Sequence, residues 1–211
     1  MDAADRYLLL IDISGYTGFL GGVAQQHGED FSNGLPAGYK ALGELIDLLI
    51  AGLPPAFELV KVEGDAVFAA APATDVDGQG AIVLEDLGKA YRAFVDLREK
   101  LAVGAKDDKC DACLVVNTLD LKAIVHRGFA VQQSVGRQLD VVGPAVNVAH
   151  RLLKNTVRDV IGYRPYVLVS GPAAEKLGIA DLGIDHPESY ADVGVIDTRI
   201  IDLAELAQPA S

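Results

Sequence analysis

The sequence predicts a mixed α/β or α+β fold, organised as a single domain over residues 1–211. Short apolar runs typical of buried strands alternate along the chain with longer segments of helical periodicity. The chain contains no internal repeat, and 211 residues is an ordinary length for one domain. It has no Trp and only six Phe and seven Tyr. We therefore expect a core built from Val, Leu, Ile and Ala.

The first half of the chain is predicted to hold a central strand, three helices and a hairpin. The apolar run Tyr7–Ile13 indicates the buried strand. A short helix, a loop and an amphipathic helix follow, over Gly18–Gln25, His27–Gly38 and Tyr39–Ala51. Two strands, Phe57–Val62 and Ala66–Ala70, flank a tight turn at Glu63-Gly64-Asp65, and a long helix covers Gly80–Leu101.

The second half is predicted to begin with a charged linker and to continue as strands and helices. The linker is Gly104–Asn117, and a strand pair, Leu119–Val125 and Phe129–Val135, is expected around His126-Arg127-Gly128. Pro144 is suited to the first turn of a helix that runs to about Arg158. The remaining elements are a strand over Tyr166–Ser170, a short helix over Pro172–Leu177 that ends at Gly178, and strands over Ser189–Val193 and Ile196–Leu203.

Charge and composition exclude several classes of partner. Lys and Arg number 18 and Asp and Glu number 30, which gives a net charge of −12. Such a chain repels nucleic acid and anionic membrane surfaces. The N-terminus does not resemble a signal peptide, and no apolar stretch is long enough to cross a membrane. We therefore expect a soluble, cytoplasmic protein.

Two carboxylates are candidates for metal binding. Asp12 lies within an apolar strand and Asp65 lies in the predicted hairpin turn. A carboxylate among aliphatic residues is costly unless it is paired, hydrogen-bonded or bound to a metal. Asp12 could instead cap the following helix and Asp65 could be an ordinary turn residue. If the strand and the hairpin are neighbours, both side chains can converge on Mg²⁺.

A second candidate group lies on the helix that starts at Pro144. Asn147 and Arg151 are four residues apart and therefore share one helix face. An amide beside a guanidinium suits a phosphate-bearing substrate, although two polar residues on an exposed helix face are also ordinary.

Three segments, in order, resemble motifs of the catalytic domains of class III nucleotidyl (adenylyl or guanylyl) cyclases. They are Leu10-Ile-Asp-Ile-Ser-Gly-Tyr-Thr17, Lys61-Val-Glu-Gly-Asp65-Ala-Val-Phe68, and Asp140 followed by Gly143-Pro-Ala-Val-Asn147-Val-Ala-His-Arg151. The strand segment Leu121-Lys-Ala-Ile-Val-His126-Arg-Gly128 also resembles the family. The similarity spans about residues 6 to 203 and is nearest to a bacterial branch of stand-alone cyclase-like proteins of uncharacterised function.

The resemblance implies a fold and a set of roles. The fold would have a ferredoxin-like βαββαβ core, with a mainly antiparallel central sheet flanked by helices. Two Mg²⁺ or Mn²⁺ ions per site would be held by three groups: Asp12, Asp65 and the backbone carbonyl of Ile13. Lys61 and Asp140 would bind the base, a pair that goes with ATP in the family. Asn147 would orient the ribose and Arg151 would stabilise charge on the phosphates.

The implied function is an adenylate cyclase that converts ATP to 3′,5′-cyclic AMP and pyrophosphate. In the family the metal residues come from one subunit and the other four from its partner, which implies a homodimer with two sites. The alternatives are a non-catalytic nucleotide-binding or regulatory module and a cyclase that acts on another nucleoside triphosphate. Cys110 and Cys113 are compatible with a structural role, half of a zinc site or a redox pair.

Overall fold

The structure is a computed structural model that describes residues 1–28, 34–107, 115–136 and 138–208. The Cys110–Cys113 motif lies outside these ranges, as does part of the predicted loop over His27–Gly38.

Ten strands and seven α-helices are present within the described ranges. The strands are β1 (Asp2–Ser14), β2 (Glu58–Glu63), β3 (Ala66–Pro72), β4 (Asp120–Val135), β5 (Gln138–Val142), β6 (Tyr166–Ser170), β7 (Ile184–Asp185), β8 (Glu188–Tyr190), β9 (Gly194–Ile196) and β10 (Thr198–Asp202). The helices are α1 (Tyr16–His27), α2 (Ala37–Ala51), α3 (Gly80–Asp107), α4 (Pro144–Leu152), α5 (Val157–Ile161), α6 (Gly171–Leu177) and α7 (Leu203–Leu206).

Eight of the described strands form one sheet in the order β2-β3-β1-β4-β6-β10-β7, with β5 paired to β4. All of its pairings are antiparallel except that of β4 with β6. Strands β8 and β9 form a separate two-stranded hairpin. The expected α+β architecture, with a mainly antiparallel central sheet between helices, is therefore confirmed, and β1 occupies the predicted central position.

The two faces of this sheet are covered differently. Alternate residues of β1 enter different cores because successive strand side chains point to opposite faces. Tyr7, Leu9, Ile11 and Ile13 pack in a large core with α1, α2 and α3, on what we call the back face. Leu8 and Leu10 pack in a smaller core with α4, on what we call the cleft face.

Three sequence predictions need correction. The expected strand pair around His126-Arg127-Gly128 is one continuous strand, β4. The helix expected from Pro144 to about Arg158 is two helices, because α4 ends at Leu152 and α5 begins at Val157. The predicted linker over Gly104–Asn117 is partly helical, since α3 extends to Asp107 and Val115–Thr118 form a 3-10 turn.

The C-terminal strands also differ from expectation. Strands are present at Glu188–Tyr190, Gly194–Ile196 and Thr198–Asp202, so the turn of the hairpin falls where the first predicted strand ended. The short strands β5 and β7 were not predicted. None of the helices in the described ranges is long and apolar enough to span a membrane.

Candidate functional site

Asp12 follows Leu8 and Leu10 in the cleft-face row of β1. Its side chain is half-buried, and its Oδ1 is 3.2 Å from Nζ of Lys122 on β4, the residue directly opposite it in the sheet. The same Nζ donates to the main-chain oxygen of Leu153 at 3.2 Å. Asp12 does not cap α1, because the residue at that N-cap is Gly15 and α1 has no side-chain cap. The carboxylate is therefore directed into an ion pair.

Asp65 lies beside Asp12 as a consequence of strand register. Its neighbour in sequence, Ala66, pairs with Asp12 across β1 and β3, and Gly64 supplies the positive φ of 66° that the hairpin turn requires. Burial raises the pKa of the Asp65 carboxyl, and the negative charge of Asp12 raises it further. Two carboxylates that repel each other in this way provide a favourable position for a cation.

The donor set fits a hard divalent cation that arrives with a phosphate ligand. Mg²⁺ typically takes one or two carboxylates and completes its shell with water and phosphate oxygens. Within the described ranges, no three His, Cys, Asp or Glu side chains are grouped so as to hold a metal by themselves. Asp12 and Asp65 supply two carboxylates and fit this pattern. Ile13 could contribute only its main chain, since its side chain is buried in the back-face core.

Lys61 and Asp140 are in contact, although they are 79 positions apart in the sequence. Nζ of Lys61, on β2, is 3.3 Å from Oδ1 of Asp140, on β5, and 3.0 Å from Oε1 of Glu63. Glu63 and Asp140 raise the pKa of the Lys61 ammonium, so it is charged at neutral pH. The predicted base-binding residues thus form one donor–acceptor pair.

Asn147 and Arg151 are both exposed on α4, as the helical spacing predicts. Arg151 makes two hydrogen bonds to one oxygen of Asp192, which lies in the turn between β8 and β9. Its Nε donates to Oδ2 at 2.9 Å and a terminal guanidinium nitrogen donates to the same atom at 2.5 Å. The guanidinium is therefore engaged by a carboxylate of its own chain.

Three of the predicted residues, Asp12, Asn147 and Arg151, line one open cleft of about 650 Å³, whereas Lys61, Asp65 and Asp140 are not among its lining residues. Its walls include Asp12 and Lys122 from the sheet and Asn147 and Arg151 from α4. The remaining lining residues are His150, Leu153, Lys154 and Asp192.

His150 connects the cleft to the Lys61–Asp140 pair. Its Nδ1 is 3.7 Å from Oε2 of Glu63, which also binds Lys61, and its ring packs edge-on against Phe68. All the predicted side-chain candidates are thus brought to the cleft or its border.

Lys122 and Asp192 were not singled out by the sequence. Lys122 could have been found from strand alternation, because it stands opposite Asp12 once β1 and β4 are paired. No local signal points to Asp192, which is 41 positions from Arg151 and meets it only through the hairpin.

Comparison with known proteins gives a family of undetermined activity. A family model described as "Protein of unknown function (DUF2652)" matches residues 42–161. A curated relative, the uncharacterized protein Rv2561/Rv2562 of Mycobacterium tuberculosis, is 28% identical over 156 residues, which cover 72% of this chain and 69% of the relative.

Solved structures with the same fold include adenylyl and guanylyl cyclases. A bacterial light-regulated adenylyl cyclase aligns with a TM-score of 0.59 at 13% identity, over 98% of this chain and 97% of that one. The guanylyl cyclase Cya2 aligns at 0.57 with 11% identity, over 94% and 92% of the two chains. The adenylyl cyclase CyaB from P. aeruginosa aligns at 0.54 with 14% identity, over 95% of each chain. At these identities the likeness shows a shared fold.

Proposed function

We propose that this chain, which belongs to the DUF2652 family because that model matches more than half of it, is a nucleotidyl cyclase that uses ATP. The reaction is attack of the ribose 3′-oxygen on the α-phosphorus of ATP, which yields 3′,5′-cyclic AMP and releases pyrophosphate. One observation carries the proposal: Asp12 and the pair Asn147 and Arg151, from two separate motifs of a cyclase-like sequence, line the same cleft face of a fold shared with solved cyclases.

Asp12 and Asp65 are the residues that would hold Mg²⁺ or Mn²⁺. When bound, the metal supplies positive charge to the triphosphate and makes the ribose hydroxyl more acidic. The raised pKa of Asp65 is consistent with a site whose two carboxylates need a cation. Lys122 neutralises Asp12 in the absence of metal, and its ammonium has to yield part of this contact to any ion that binds there.

Lys61 and Asp140 are proposed to select adenine. An ammonium donates a hydrogen bond to adenine N1, and a carboxylate accepts one from the exocyclic amine. The two side chains present a donor and an acceptor 3.3 Å apart, which matches that pair of adjacent groups on the base. Guanine reverses the pattern at these positions, with a donor at N1 and an acceptor at O6, so ATP is favoured over GTP.

Asn147 and Arg151 are proposed to act on the ribose and the phosphates. The Asn147 amide can accept and donate hydrogen bonds, so it can orient a hydroxyl-bearing ribose. The planar guanidinium of Arg151 stabilises the negative charge that builds up on phosphate oxygens during attack. Both side chains reach solvent from α4, so a substrate has access to them.

We propose further that two chains pair with their cleft faces together. Each site would then take its metal residues from one chain and Lys61, Asp140, Asn147 and Arg151 from the other. A symmetric pair of this kind contains two equivalent sites. Within one chain, Asp12 pairs with Lys122 and Arg151 pairs with Asp192. Each of these two proposed site residues therefore has a partner of opposite charge in its own chain.

The same internal pairing favours one alternative, a nucleotide-binding or regulatory module without catalysis. The experiment that separates the two supplies the purified chain with Mn²⁺ and each of ATP, GTP, CTP and UTP, followed by chromatography of the products. We expect cyclic AMP and pyrophosphate from ATP, and at least hundredfold less from Asp12→Asn and Asp65→Asn. Asp185→Asn is the matched control, because Asp185 is an exposed carboxylate on β7. Binding of ATP without product would favour the module.

A further inference from the structure

The β8–β9 hairpin is anchored at its base and meets the cleft at its tip. At the base, Glu188 is 2% exposed and accepts a hydrogen bond from the main-chain nitrogen of Thr156 at 2.8 Å. Nε2 of His186 lies 3.1 Å from the same Glu188 oxygen. The tip carries Asp192, which lines the cleft and binds Arg151. The fold therefore places a carboxylate against the one arginine among the described residues that line the cleft.

This ion pair is placed where solvent and ligands can compete for it. The side chains of Arg151 and Asp192 are 45% and 53% exposed. Exposed ion pairs contribute little to stability because water screens them and both side chains lose rotamer freedom. Arg151 can therefore leave Asp192 at small cost when a stronger anion enters the cleft.

The ligand that Asp192 resists is a polyphosphate. The cationic groups in the lining of the cleft are Lys122, Arg151 and Lys154, and Lys122 is paired with Asp12. A triphosphate that binds Arg151 has to displace Asp192 and also experiences repulsion from its charge. Both effects lower the affinity for polyanions.

We propose that Asp192 is an internal competitor for Arg151 that sets the affinity of the cleft for polyphosphate groups. Asp192 accepts the hydrogen bonds of the Arg151 guanidinium, and phosphate oxygens of a bound ligand replace Asp192 as the acceptors. The inference rests on the proposed function in one respect, namely that the physiological ligand is a triphosphate. Competition for Arg151 itself can be measured with an inorganic polyanion and without turnover.

The experiment is a calorimetric titration of the full chain with sodium tripolyphosphate, at low ionic strength and in EDTA. We expect Asp192→Asn to bind tripolyphosphate about fivefold more tightly than the wild type, from loss of an exposed ion pair and its repulsion. Asp192→Glu keeps the charge and should bind like the wild type. Asp185→Asn makes the same change of net charge on β7, where Asp185 pairs with Arg199 at 3.1 Å, and should also leave the affinity unchanged.

A double-mutant cycle assigns the effect to Arg151. In an Arg151→Gln background, Asp192→Asn should no longer improve binding, and the gain seen in the wild-type background should shrink as salt is added. The proposal is overturned if Asp192→Asn matches Asp185→Asn, binds more weakly than the wild type or binds no tripolyphosphate. It is also overturned if the gain persists without Arg151. Absence of cyclic AMP formation together with a positive cycle would refute the cyclase activity alone.

Discussion

The two faces of the central sheet are built from the same strands but differ in what their side chains do. On the back face, β1 contributes Tyr7, Leu9, Ile11 and Ile13, all buried under helices. On the cleft face Leu8 and Leu10 lie under α4, and Asp12 takes the next position in the row. Since the two rows alternate residue by residue, a single apolar-to-acidic change in one row leaves the other core intact. The fold can therefore hold a charged site on the cleft face and lose apolar packing only at one edge of the smaller core.

The comparison can be tested first on stability, where we expect the largest effect. Leu9 is fully buried on the back face, so Leu9→Ala should lower the free energy of unfolding by about 2–5 kcal/mol through lost burial and a residual cavity. Asp12→Asn, on the cleft face of the same strand, should lower it by less, because the lost ion pair with Lys122 is offset by relief of the repulsion between Asp12 and Asp65. Urea denaturation of both variants measures the difference. Equal losses would show that the two faces do not differ in this way.

A second test concerns a titratable group beneath α4. His126 is buried on β4, its Nδ1 is 2.8 Å from Oγ of Ser170, and burial lowers its pKa to about 4. Its ordinary pKa is about 6.5, so between these values the unfolded chain binds a proton that the folded chain does not. Stability should therefore rise with pH from about 4 to 6.5, by on the order of 3 kcal/mol from this group.

Denaturation curves of the wild type and His126→Gln across this pH range measure the contribution. The difference in unfolding free energy between the two proteins should change with pH and level off above about pH 6.5. A difference that is constant from pH 4 to 7 would mean that His126 titrates normally and that the region under α4 is open to water.

A third test addresses the charged border of the cleft. Replacing Lys61 by Glu together with Asp140 by Cys removes both the adenine donor and the acceptor, and we expect about hundredfold lower turnover of ATP, about tenfold for each lost hydrogen bond. Glu58→Gln is the control, because Glu58 is an exposed carboxylate on the same strand, β2, with no proposed role in the site. Unchanged ATP turnover in the double variant would show that Lys61 and Asp140 do not bind the base.

Local patterns predicted most elements of the fold, and the failures have physical causes. His126-Arg127-Gly128 reads as a turn, yet β4 continues through it. Arg127 is neutralised by Asp77 and Asp5, and Gly128 is needed because a Cβ there would lie 2.9 Å from Cβ of Ala145 on α4. The break between α4 and α5 is made by the side chain of Asn155 and has no signal in the helical periodicity. Its amide nitrogen donates to the main-chain oxygen of Leu152, the last residue of α4, and its Oδ1 accepts from the main-chain nitrogen of Val157, the first residue of α5.

The candidate site could be predicted only in part, for a related reason. Local sequence patterns singled out residues such as Asp12 and Arg151, and the resemblance to cyclase motifs implied their roles. Their partners Lys122 and Asp192 depend on sheet register and on the position of a distant hairpin. Contacts between residues far apart in the chain leave no periodic signal in the sequence, so the electrostatic balance of the cleft is visible only in three dimensions.

The central claim is that the cleft faces of two chains together form two shared catalytic sites, and subunit complementation tests it most directly. Asp65→Asn disables the metal residues in both sites of a homodimer, and Arg151→Ala disables the phosphate residues in both. When the two inactive proteins are mixed and subunit exchange is verified by native mass spectrometry, half of the dimers should be mixed, each with one intact site. Cyclic AMP formation should then return to about a quarter of the wild-type rate per total enzyme. Verified exchange without recovery would contradict the claim.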